Sequence, residues 1–128
     1  MTSKNIKIAN INVKLKTFFR NWMQFTQPFH KLSNQQQTVL ALLLFYHYQL
    51  KREITNVKIL WKAVFDYDTK IKVATELEIQ PGALENLLSQ LRKKKIIVDN
   101  QITPAYVPDL DLNSKKFTIV FNFNIKDE

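Results

Sequence analysis

Residues 68–98, DTKIKVATELEIQPGALENLLSQLRKKKIIV, constrain the fold more than any other stretch of the chain. Leu84, Leu87, Leu88 and Leu91 recur at i, i+3, i+4 and i+7, the spacing that gathers them on one face of a helix. Pro81 suits the first turn of that helix, where its missing N–H costs nothing. At about 100° per residue, Gly82, Asn86, Ser89 and Lys93 fall on the opposite face. That face carries a residue without a side chain, two short hydrogen-bonding groups and a cation, a surface suited to a nucleic-acid groove. The solvated back of an ordinary core helix reads the same way, so the neighbours must separate the two. Upstream, Asp68 is expected to cap a short helix over 69–77 with Ile71, Ala74 and Leu77 inward. Glu78-Ile79-Gln80 connects the two helices. Downstream, Arg92-Lys93-Lys94-Lys95 leads into a short strand, Ile96-Ile97-Val98.

Charge is distributed unevenly around this centre. Of the 128 residues, the first 52 hold eight cations (Lys4, Lys7, Lys14, Lys16, Arg20, Lys31, Lys51, Arg52) and no acid. Residues 53–95 hold eight cations and six acids, and residues 96–128 hold three cations and five acids. A net charge of +8 concentrated in one half points to a polyanionic partner. The chain has no cysteine, which removes disulfides, thiolate metal sites and thiol nucleophiles and fits a reducing compartment. Residues 6–15 are interrupted by Lys7, Asn10, Asn12 and Lys14 and do not read as a signal peptide. The longest apolar run, 39–46, is too short to span a bilayer. A soluble, intracellular protein is expected, cytoplasmic in a bacterial or phage-infected cell. With one glycine, helix ends and turns must use Asn, Asp or Lys instead.

The remaining elements follow in order. Ile8, Ile11, Leu15, Phe18, Trp22 and Phe25 form a seam with spacings of three and four, while Ile6–Ile8 and Ile11–Val13–Leu15 alternate by two. An extended start passing into a helix over about 13–27 is expected, ended by Pro28, with Lys14, Lys16 and Arg20 off the seam. Phe18, Phe19, Trp22 and Phe25 suit core packing or a partner surface. Ser33 and Gln36 have capping-box spacing and open a helix to about residue 51, apolar nearly all round over 39–46 and therefore central. His30 and His47 have no metal-ligand companion at i+3 or i+4. Asn56 can cap a helix in which Val57, Leu60, Trp61 and Val64 share a face. Asp99-Asn100 suits a two-residue hairpin turn. Phe117, Ile119, Phe121, Phe123 and Ile125 alternate with Thr118, Val120, Asn122 and Asn124, which predicts a strand with one face in the core.

The order helix, helix, helix-turn-helix, strand, hairpin, strand is α+β. TELEIQPGALENLLSQLRKKKII resembles the helix-turn-helix core of winged-helix DNA-binding proteins, among them MarR-type regulators and plasmid or phage replication initiators. More loosely, the layout from FFRNWMQF through QITPAYVP is similar to small winged-helix proteins of bacteriophages. The resemblance covers about residues 33–125. It implies a winged helix-turn-helix domain over 31–128, with a C-terminal hairpin or wing, preceded by an N-terminal arm and amphipathic helix over 1–30. Lys95 stands where that family usually has glycine. Asp109 and Asp111 occupy the region of the wing, which is usually basic.

The resemblance implies a non-enzymatic protein that binds double-stranded DNA, RNA not being excluded, as a transcription or replication regulator. Gly82, Asn86, Ser89 and Gln90 would face base edges, and Lys70, Lys72, Arg92, Lys93, Lys94 and Lys95 would hold phosphates. No phosphate loop, H-E-x-x-H or nucleophile–base set is present, and no metal, cofactor, small-molecule substrate or membrane partner is expected. A homodimer or larger assembly would form through Phe18, Phe19, Trp22 and Phe25. The alternative is a structural component of a larger complex such as a phage virion, in which the same fold docks protein.

Overall fold

The computed structural model describes residues 5–127; Lys4 and Glu128, counted among the charges above, lie outside them. Among those residues the chain is α+β, with six helices and one two-stranded antiparallel sheet. The helices are α1 (Leu15–Phe25), α2 (Gln27–His30), α3 (Asn34–Lys51), α4 (Val57–Val64), α5 (Tyr67–Leu77) and α6 (Pro81–Lys93). Strands β1 (Ile97–Val98) and β2 (Gln101–Ile102) follow, then a single 3₁₀ turn at Pro104–Tyr106. No helix among the described residues is long and apolar enough to cross a membrane.

Helix α3 is the hub. Val39, Leu40, Ala41, Leu42, Leu43 and Leu44 are all buried, and α1, α4, α5 and α6 each pack on it. Its start is held by a reciprocal box. Ser33 Oγ accepts from Gln36 N–H at 3.3 Å, and Gln36 Oε1 accepts from Ser33 N–H at 3.0 Å. Asn56 caps α4 by accepting from Ile59 N–H at 3.0 Å. These two caps match their expected positions. The cap of α5 lies two residues earlier than expected. Asp66, not Asp68, accepts from Thr69 N–H at 2.9 Å, and Asp68 falls in the first helical turn. The buried face of α5 turns accordingly to Thr69, Val73 and Ala74, leaving Ile71 and Leu77 half-buried. In α4, Leu60, Trp61 and Val64 are buried while Val57 is exposed.

The N-terminal region departs further. Residues 6–14 form no regular element and are exposed. In α1 the deepest positions are Phe19 and Met23, one residue round from the expected seam; Leu15, Phe18 and Trp22 are half-buried and Phe25 is exposed. Pro28 does not end the chain's helical course but lies in the first turn of α2. His30 joins these elements. Its Nε2 donates to Met23 O at 2.7 Å and its Nδ1 accepts from Leu32 N–H at 3.0 Å, which requires the neutral ring. Burial accordingly lowers its pKa.

Chain reversals use residues other than glycine, as a one-glycine composition demands. Lys31, Glu78, Lys95, Asp99 and Asn100 all have φ between 53° and 62°. Asp99 and Asn100 make the hairpin turn, pairing Ile97 with Ile102 and Val98 with Gln101.

The expected C-terminal strand is absent. Residues 117–125 pair with no strand among the described residues and do not enter the core; Phe123 is 85% and Ile125 91% exposed. A strand needs a free edge within reach, and the chain's route removes it. Pro104 and Pro108 carry the backbone away from the hairpin. Trp22 Nε1 then donates to Tyr106 O at 2.9 Å and draws this segment onto α1. The tail therefore runs over α1 and α2, where Phe117 meets Phe18 and Trp22 edge-on and Phe121 stacks on Phe29.

Candidate nucleic-acid interface

Helix α6 is held to the core by Leu84, Leu88 and Leu91, at 2%, 0% and 0% exposure, with Leu87 half-buried beside them. Everything opposite that row faces outward. Pro81, Gly82, Ala83, Glu85, Asn86, Gln90, Lys93 and Lys94 are exposed and Ser89 is half-buried. The ring contacts of the tail are to α1 and α2.

Gly82 is helical, not left-handed, and no atom lies within 4 Å of where its Cβ would be. The fold itself therefore gives no reason for glycine here. Gln80, at the cap position, makes no side-chain cap bond. The N–H groups of the first turn of α6 thus receive no bond from the Gln80 side chain, at the positive end of the helix dipole.

At the other end, α6 closes on a left-handed lysine. Lys95 N–H donates to Arg92 O at 3.1 Å and Ile96 N–H to Leu91 O at 3.0 Å, the paired bonds of a Schellman termination. Four consecutive cations, Arg92 to Lys95, flank this turn, and none has an ion-pair partner among the described residues. Lys72 on α5 is likewise exposed and unpaired. Lys70 differs: it pairs with Glu85 across the α5–α6 angle at 3.0 Å. The ten residues expected to contact nucleic acid thus fall into three sets. Gly82, Asn86, Ser89 and Gln90 share the outward face; Lys72 and Arg92 to Lys95 supply unpaired charge; Lys70 is neutralised.

Gln90 and Lys94 have a further tie. Gln36 Nε2 donates to Gln90 Oε1 at 2.8 Å, and Lys94 Nζ donates to Gln36 Oε1 at 3.1 Å. Gln36 thereby couples the start of α3 to the end of α6. A glutamate would serve the capping box equally but could not donate to Gln90. That preference for Gln is the only sequence signal of this role, and the capping box accounts for the residue before the second contact is visible.

The four aromatics expected on a partner surface divide as well. Phe19 is 2% exposed and belongs to the core, Phe18 and Trp22 lie beneath Phe117, and Phe25 is 43% exposed. A cavity of about 370 Å³ lies between α3, α4 and residues 101–110, lined by Leu44, His47, Trp61 and Ile102 among others; no residue of α6 reaches it. His47 stacks on Trp61 at 4.2 Å between ring centres, and burial, with the Lys51 charge second, pushes its pKa down to about 4. Among the described residues no group of three or more His, Asp or Glu could hold a metal ion. No protein family model, curated protein or solved structure matches the chain.

Proposed function

We propose that the chain is a non-enzymatic, winged-helix-like protein that binds double-stranded DNA in transcription or replication control. The observation that carries this reading is α6: a helix with an exposed outward face and, at its C-terminal turn, four cations without an ion-pair partner among the described residues. Asn86 pairs with a base edge in the major groove, where an amide matches adenine. Gly82 lets the backbone come close, and the free N–H groups beside it meet a phosphate. Lys93, Lys95 and Lys72 neutralise phosphates and set register, while Gln36 holds Gln90 and Lys94 at a fixed orientation. The hairpin β1–β2 serves as a short wing that adds little charge.

The test is binding to random duplex DNA over a salt series. Lys72→Ala/Lys93→Ala removes two exposed side chains that support nothing in the fold. It is expected to weaken binding and to lower the slope of log K against log salt by about two units. An unchanged slope overturns the assignment. Gly82→Ala is expected to keep or raise stability while weakening binding, since only an approaching partner needs the space.

A second reading, a structural component of a larger complex, rests on the exposed apolar residues of the tail, Val120, Phe123 and Ile125, together with Phe29. The two readings use different residues and are compatible.

A further inference from the structure

We propose that residues 117–125 form an antiparallel strand pair with the same residues of a second copy, making a two-fold dimer through the tail. This is independent of the DNA reading. Among the described residues, the backbone of this segment has no hydrogen-bond partner, which leaves both edges open. Its apolar set is uninterrupted at a period of two: Phe117, Ile119, Phe121, Phe123 and Ile125.

Such a segment is self-complementary. With the two-fold axis at Phe121, Phe117 faces Ile125 of the second copy, Ile119 faces Phe123, and Phe121 faces itself. Those five apolar side chains then lie on one face of the pair, and Thr118, Val120, Asn122 and Asn124 lie on the other. Moving the axis by one residue leaves either Phe117 or Ile125 without an apolar partner, so this register is preferred. No charge falls inside the segment; Lys116 and Lys126 bracket it and stop the ladder at nine residues.

The apolar face is already anchored, since Phe117 and Phe121 rest on Phe18, Trp22 and Phe29. What stays uncovered is Phe29 at 65%, Phe121 at 38%, Phe123 at 85% and Ile125 at 91%. With about 150–200 Å² per large side chain, covering these in both copies removes on the order of 1,000 Å² from water, the lower edge of a specific interface. The predicted complex is therefore reversible and dependent on concentration.

Sedimentation of the full chain over a concentration series is expected to show the mass rising from 15.1 kDa toward twice that value. Phe123→Glu/Ile125→Glu, at two positions outside the core, is expected to keep the helical circular dichroism and remain monomeric. The absence of native cysteine allows the register to be read directly. Val120→Cys and Asn122→Cys proteins, mixed and oxidised with diamide, are expected to cross-link to each other faster than either does to itself, because 120 faces 122 only in this register. A monomer at every concentration overturns the proposal, as does a dimer that survives the double glutamate change. A wild-type monomer that instead partitions onto anionic vesicles assigns the tail to a lipid surface and also overturns it.

Discussion

Helix α6 and residues 117–125 carry apolar repeats of equal regularity, one at the helical period and one at the strand period, yet only the first is buried. Leu84, Leu88 and Leu91 are at most 2% exposed, whereas Phe123 and Ile125 are nearly bare. The difference lies in what each element needs. A helix closes its own backbone hydrogen bonds and has only to find a surface for its apolar row; α3 and α5 provide one. A strand must find an edge as well, and the hairpin's edge lies away from where Trp22 and Tyr106 bring the chain. Periodicity states which face seeks burial. It does not state that a partner exists within the same chain.

The contrast can be broken by mutation, most strongly at Leu88. Leu88→Ala is expected to cost about 2–5 kcal/mol of unfolding free energy in urea, because a cavity opens at a fully buried position. A loss below that range would mean that α6 is not part of the core. Next comes the end of the same helix. Lys95→Gly removes the strain of a left-handed lysine at φ 62° and is expected to stabilise by about 1 kcal/mol, read as a higher urea midpoint. A lower midpoint would mean that the helix ends in another way.

The pH dependence is smaller, since solvent screens the partly exposed His47 ring. Its pKa falls from 6.5 to about 4 on folding, chiefly through burial and secondly through Lys51, and that of His30 also falls. The unfolded chain therefore binds more protons between these values, and stability is lost as pH drops from 6.5 toward 4. Urea midpoints at pH 7 and pH 4.5 check this, and His47→Leu is expected to flatten the difference. Least of all, Phe123→Ala at high dilution is expected to change stability by less than about 0.5 kcal/mol. A larger loss would place the tail in the fold of the single chain.

Local signals were the legible ones. Ser33 with Gln36, Asn56, Pro81 and Asp99-Asn100 each act over two or three residues, and each lies where its spacing indicates. Asp66 and Asp68 were harder, because two acids near one helix start can both cap it and the choice depends on where α4 ends. In α1 the apolar stripe is wide enough that Phe18 and Phe19 compete for the core, and only the position of α3 decides between them. The α6 surface was legible as a face, but the pairing of Lys70 with Glu85 and of Gln36 with Gln90 depends on how helices distant in sequence cross.

The amino-acid sequence alone determined α3, α4 and α6, the caps of α3 and α4, the hairpin turn and the use of residues other than glycine at chain reversals. These follow from backbone sterics and hydrogen bonds between near neighbours. Only the tertiary structure decided which face of α1 is buried, which cations remain free around α6, and that the tail lies on α1 and α2 without a strand partner. Those outcomes depend on the distances between segments far apart in the chain, which no local pattern encodes.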